Sequence, residues 1–154
     1  MSIYFEEIKK ETLYIVQEVM NSNPDYNVFE NGCEARTLTE IEEFLNHDTI
    51  SAFIKVDDTY IGVINYKIEN PKDHFPWLGL LILHGDYQGY GYGLHAFELY
   101  ENEMRKRGLE SIRIGVLKEN ARAIRFFESL GFVYYISSTS RNGSGILCYQ
   151  KQIS

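Results

Sequence analysis

Cysteine, proline and tryptophan are scarce in this chain of 154 residues, with two, three and one copies. Cys33 and Cys148 lie far apart, form no CxxC pair and have no clustered histidines beside them. Neither a disulfide framework nor a zinc site is expected, and both read as free thiols; no metal is called for. Glycine and serine are spread out, so there is no linker, repeat or low-complexity run. No stretch reaches the roughly 18 to 20 uncharged apolar residues of a membrane helix. Glu6, Glu7, Lys9, Lys10 and Glu11 stand where a signal peptide would be apolar, so a soluble, cytoplasmic chain with no membrane partner is expected. Positive charge is in the minority as well. Fifteen Lys+Arg against 22 Asp+Glu give a formal net charge of -7. The basic residues form no face interleaved with aromatics, which argues against a nucleic-acid partner.

What the chain does have is 44% hydrophobic and 14% aromatic residues. Disorder is excluded, and the length suits one domain over residues 1–154 with a single core. Leu13, Val16 and Met20 recur at helical spacing, and the run Asn21 to Pro24 ends that helix. Thr37 or Thr39 caps a second helix whose buried side is Leu38, Ile41, Phe44 and Leu45. Ser51 to Val56 and Tyr60 to Ile68, around Asp57-Asp58, read as a hairpin. Trp77 to Leu83 is nearly all apolar, the pattern of a central strand covered on both faces. Leu94, Phe97, Glu101 and Met104 mark a third helix, Ser111 to Leu117 a strand, and Asn120 to Leu130 a fourth helix. Two strands around the turn Arg141-Asn142-Gly143 finish the chain, and a first strand near Ile3 to Ile8 is an optional addition.

The informative segment runs from Leu81 to Gly93: an apolar strand, a bend, then Gly89, Gly91 and Gly93 opening a helix. Glycines permit positive φ and close approach of a ligand, so successive N–H groups at a helix start can converge on a phosphate. The plainer reading is a turn that merely joins strand to helix. Gly91-x-Gly93-x-x-Ala96 also fits a dinucleotide fingerprint, with Glu110 near the ribose-binding position. The residues that follow offer one strand-helix pair and an antiparallel ending, too little for that parallel half-domain.

Gln88-Gly89-Tyr90-Gly91-Tyr92-Gly93 resembles the Gln/Arg-x-x-Gly-x-Gly/Ala motif of the GNAT superfamily of N-acetyltransferases. Asn120-Ala121-Arg122-Ala123-Ile124-Arg125-Phe126-Phe127, continuing to Gly131-Phe132, resembles its second helical motif. The resemblance implies an α/β fold with a mixed, mostly antiparallel sheet of six or seven strands, one V-shaped opening and helices on both faces. It implies acetyl-CoA as co-substrate, its pyrophosphate held by backbone amides of Gln88, Gly89, Tyr90, Gly91, Tyr92 and Gly93. Leu81 and Leu83 would offer main-chain groups to the pantetheine amides. Asn120 would reach the pantetheine arm, with Ala123 and Phe126 along its path and Arg122 near the terminal phosphate; a plain helix cap is the other role open to Asn120.

One position departs from the pattern. The family's usual tyrosine, which protonates the departing thiolate, falls at Phe127, which has no proton to give. Asp73, His74, His84 and Asp86 are candidate bases, and none stands out. The catalytic residues are therefore unassigned. The loop Asn23 to Arg36 with Glu30 and Glu34, and Trp77, are candidate walls for the acceptor. Three readings follow: transfer of acetyl to a primary amine of a small molecule or protein by direct attack, acetyl-CoA binding with little or no transfer, and an interaction module with an empty glycine turn. Monomer and homodimer are both open.

Overall fold

A computed structural model describes residues 2–140 and 142–154. The elements are β1 (Ile3–Glu7), α1 (Leu13–Asn21), α2 (Pro24–Asn31), α3 (Leu38–Ile41), β2 (Ile50–Val56), β3 (Thr59–Lys67), β4 (Trp77–Leu83), α4 (Tyr92–Lys106), β5 (Ser111–Leu117), α5 (Ala121–Ser129), β6 (Val133–Thr139) and β7 (Gly145–Gln152). One seven-stranded sheet runs in the order β1-β2-β3-β4-β5-β7-β6. Every neighbouring pair is antiparallel except β4 with β5. That parallel pair is joined only at Trp77↔Arg113 and Leu78↔Ile114, beyond which the strands part. The expected mixed sheet with one opening is present, and the optional first strand is its edge.

Alternation along the strands divides the interior between two faces. Ile54, Ile64, Leu78 and Ile114 pack with Phe97, Tyr100 and Met104 of α4. Phe53, Val63 and Ile82 face the other way, against Val16, Val19 and Met20 of α1 and against Ile41 and Phe44. Helices therefore cover both faces.

Four expectations need correcting. Asn23 to Arg36 is not a plain loop: Pro24 occupies the first turn of α2, where its missing N–H costs nothing, and Gly32 closes the helix with φ 78°. The second expected helix is one α-turn followed by a 3-10 turn over Glu42–Leu45, capped at Thr37 by a reciprocal bond with Glu40. Leu38, at the first position of that α-turn, is 47% exposed, so the buried side is Ile41 and Phe44. Leu94, in the first turn of α4, is likewise exposed, and Ala96 and Tyr100 join the buried stripe instead. In β4 only Leu78 and Ile82 are buried; Gly79 is exposed, and Leu80, Leu81 and Leu83 are half-buried along the opening in the sheet. Of the last turn, Arg141 lies outside the described residues.

The closed end of the opening is clamped. Arg113 stacks on Phe75 at 3.6 Å and Tyr135 at 4.6 Å, and bonds Asp73 and Gln150. Burial pushes the Asp73 carboxyl up, but the Phe75 N–H, the Trp77 indole and Arg113 outweigh it and hold the group below its ordinary value. A depressed carboxyl stabilises the fold above its unfolded pKa, and that stabilisation is lost as pH falls through the folded value. Asp73→Asn should therefore flatten the fall in Tm between about pH 5 and pH 2 relative to wild type. Parallel melting curves for the two proteins over that window would rule out this linkage.

Candidate active site

After β4 the chain makes a 3-10 turn at Gly85–Tyr87 and then passes Gly89 and Gly91, with φ of 86° and 85°, before α4 begins at Tyr92. Those two backbone conformations favour glycine, and together they aim the main chain at the helix start. The backbone N–H groups of residues 89 to 94 have no acceptor among the described residues. His95 makes the first helical bond, to Gly91 O. A row of unpaired donors at the positive end of a fifteen-residue helix is suited to hold an anion.

This row opens into a cleft of about 790 Å³ between the parted strands. Leu81 and Leu83 form one wall, Gly115 and Leu117 the other, and Ala123, Phe126 and Phe127 of α5 also line it. Backbone groups alternate along a strand. His84 N–H bonds Ile61 O in β3, so the groups of Leu83 and Leu81 point away from β3 into the opening. The Leu83 carbonyl is already occupied, by Asn23 Nδ2 at 2.9 Å and Gln88 Nε2 at 3.0 Å. Leu83 N–H and both groups of Leu81 have no strand partner there. Gln88 also donates to Asn23 Oδ1 and accepts from Arg122 Nη1 at 2.9 Å, tying α2, the glycine loop and α5 together.

The remaining sequence candidates separate clearly. Tyr90 is 74% exposed and the Tyr92 ring packs on the core, so neither side chain lines the cleft and each offers its backbone N–H. Gly93 lies in the first turn of α4, where an added Cβ would sit 3.6 Å from Phe126. Asn120 caps α5, its Oδ1 accepting from Ala123 N–H at 3.2 Å, and it also lines the cleft. Phe127 does two things at once. Its ring meets Phe126 and Phe132 edge-on, and it borders the cleft.

None of the four candidate bases lines the cleft. Asp73 is engaged by Phe75, Trp77 and Arg113. His74 faces Glu69 on the surface, and Asp86 is exposed. His84 Nδ1 accepts from the Asp86 N–H, so a neutral ring carries its proton on Nε2. Trp77 does not line the cleft either, and nor does Glu34. Of the candidate wall from Asn23 to Arg36, Asn23, Tyr26, Phe29 and Glu30 line the cleft, although the sequence singled out only Glu30 and Glu34 within it. Tyr26 is the one phenol in that lining, its hydroxyl donated to Glu30. Burial, then the Glu30 carboxylate, hold it well above the ordinary phenol range. The available signal was Asn23-Pro24, a cap followed by proline.

A helix start with unpaired N–H groups at the mouth of a cleft walled by open strand backbone is the arrangement from which the class of protein can be read. The chain belongs to the acetyltransferase (GNAT) family, whose model matches residues 16–132, and it is an acyltransferase by class. No curated protein sequence matches it significantly. Among solved structures it is similar to an acetyltransferase from Thermus thermophilus, at 20% identity and TM-score 0.82, covering 99% of this chain and 97% of that one. It is also similar to the ribosomal-protein-S18-alanine N-acetyltransferase from Escherichia coli, at 16% identity and TM-score 0.73, covering 99% and 95%. A third is spermidine N-acetyltransferase from Vibrio cholerae, solved with CoA and spermine, at 17% identity and TM-score 0.76, covering 97% and 95%. At these identities the likeness is one of fold.

Proposed function

We propose that the protein transfers an acetyl group from acetyl-CoA to a primary amine by direct attack. The row of unpaired N–H groups at residues 89 to 94, facing a cleft with open strand backbone, carries this reading. The backbone of Gln88 through Gly93 would hold the pyrophosphate, Leu81 and the Leu83 N–H the pantetheine amides, and Asn120, Ala123, Phe126 and Phe127 the inner arm. The amine nitrogen bonds to the acetyl carbon, the carbon–sulfur bond breaks, the thiolate leaves, and the nitrogen loses one proton. Since Asp73, His74, His84 and Asp86 all lie outside the cleft lining, that proton would leave through water. Calorimetry with acetyl-CoA, followed by thiol release over a panel of amines, tests the reading. Binding without acceptor-dependent release would select a second one, a protein that binds acetyl-CoA with little transfer, which Phe127 favours.

Two substitutions sharpen the choice. Asn120→Ala should weaken acetyl-CoA binding or turnover beyond the roughly 1 kcal/mol stability cost of a lost cap. A variant that loses only melting temperature makes Asn120 purely structural. Phe127→Tyr adds a donor at the border of cleft and core, and kcat should rise several-fold with little change in cofactor affinity. If the rate is unchanged and the protein loses about 1–3 kcal/mol, the hydroxyl has met the core and Phe127 is not a missing acid.

A further inference from the structure

Helix α2 follows the cleft alongside β4. At its start Asn23 donates Nδ2 to Leu83 O at 2.9 Å. Near its end Glu30 borders both the cleft and a second hollow of about 210 Å³, together with Gly79 and Leu80. From Leu83 back to Gly79 the strand spans roughly 13 Å. An extended molecule anchored at residues 89 to 94 and running along Leu83 and Leu81 therefore brings its far end to the Glu30 end of α2.

The titratable side chains that line the cleft among the described residues are Asp25, Tyr26, Glu30 and Arg122. Arg122 is a permanent cation bound to Gln88. Asp25, in the first turn of α2, is exposed at the Leu83 end. Tyr26 and Glu30 remain, one helical turn apart and bonded to each other. Tyr26 Oη donates to Glu30 Oε2, and Glu30 Oε1 accepts from Arg36 Nη2 at 2.5 Å. A phenol has one proton and two lone pairs, so with its proton held by the carboxylate Tyr26 can offer the cleft only an acceptor. It does not replace the acid absent at Phe127. Burial and Glu30 keep this phenol protonated through neutral pH, so it passes a proton on rather than storing one. The charged groups facing the pair are Arg36, whose guanidinium lies 5.7 Å from the Tyr26 ring, and Glu43, which meets Arg36 Nη1 at 3.9 Å. Arg36 fixes the Glu30 carboxylate, and the 41% exposure of the Glu30 side chain connects it to bulk water.

Resting on the transferase reading, we infer that Tyr26 and Glu30 are the proton exit of the reaction: water passes the proton lost by the attacking nitrogen to Tyr26 Oη as the phenol's own proton moves to Glu30 Oε2. The nitrogen–carbon bond forms, the carbon–sulfur bond breaks, Tyr26 ends as it began, and Glu30 gains one proton that it returns to solvent. A carboxylate suffices as the last acceptor, because a nitrogen that has given its lone pair to the acetyl carbon holds its proton weakly.

The test is thiol release from acetyl-CoA by wild type, Tyr26→Phe and Glu30→Gln, with alkylamines, amino-acid amides and a lysine-containing peptide as acceptors. With the amine that wild type uses fastest, each variant should lose about 100-fold in kcat while acetyl-CoA affinity measured by calorimetry is kept. The double variant should be no slower than the worse single one, since the two residues serve one chain of transfers. N-methylmorpholine, a tertiary amine with no N–H to acetylate, should speed both variants as its concentration rises and leave wild type unchanged. Glu30→Gln keeps an acceptor for the Tyr26 hydroxyl and removes only the place for the proton, so it reads the relay even if Tyr26→Phe does not fold. A kcat within about threefold of wild type in either folded variant would overturn the relay and leave the transferase reading standing. A loss of rate that N-methylmorpholine does not reverse would make the pair structural and overturn it too. No release with any amine from wild-type protein that binds acetyl-CoA would overturn the transferase reading, and the relay with it.

Discussion

Gly91→Val is expected to lower acetyl-CoA affinity by about 100-fold or more while leaving a folded protein. At φ 85° a valine is strained by about 1–3 kcal/mol. A Cβ at this position meets nothing within 4 Å, so no packing opposes it and the strain can be carried. The damage falls on the ligand. Gly91 lines the cleft, so the new side chain takes up room beside the unpaired N–H groups, and any relief of the strain swings those donors out of line. Gly93 supplies the control, since its φ is ordinary and its Cβ would make a normal contact with Phe126. Gly93→Ala should therefore keep or raise the melting temperature, by up to about 1 kcal/mol of helix preference. Gly93→Val should cost affinity without strain. Calorimetry on each variant, beside its melting curve, separates the two effects. Full affinity in a folded Gly91→Val protein would remove the anion site from the glycine loop.

The parts of this architecture that show in the sequence are those whose chemistry is local. Gly89 and Gly91 announce a backbone only glycine adopts readily, and Asn120 followed by an apolar stripe announces a capped helix. The opening of the sheet was not readable from periodicity. Trp77 to Leu83 carries the letters of a strand covered on both faces, and apolar letters serve equally well for a cleft wall. Helix α2 escaped for a different reason. Its one fully buried residue is Asn27, which packs by hydrogen bonds to Met20 O and Glu34 O, so no apolar stripe marks it. The candidate bases lie outside the cleft lining, because strand ends and turns attract polar residues for structural work. His84 caps a turn, and Asp73 holds Trp77 and Arg113.

That polar packing makes Arg36 the residue whose loss should cost most stability outside the apolar core. Its Nε donates to Asn27 Oδ1 at 2.8 Å and its Nη2 to Glu30 at 2.5 Å. Its backbone N–H donates to Asn21 Oδ1, and its carbonyl accepts from Gln17 and Asn21. Arg36→Ala leaves Asn27 Oδ1 buried without its donor and Glu30 without its cation. Removing one partner of a buried ion pair costs about 3–5 kcal/mol, but the Glu30 side chain is 41% exposed and water recovers part of that. A loss of about 2–4 kcal/mol is expected, which for this length lowers Tm by roughly 4–16 °C. The double variant Arg36→Ala, Glu30→Gln decides the cause. If the pair is coupled, the second change should add little to the first, because a neutral amide no longer needs the lost cation. Strict additivity of the two losses would mean that the Arg36 side chain acts through Asn27, Glu43 and the Tyr26 ring, and not through Glu30.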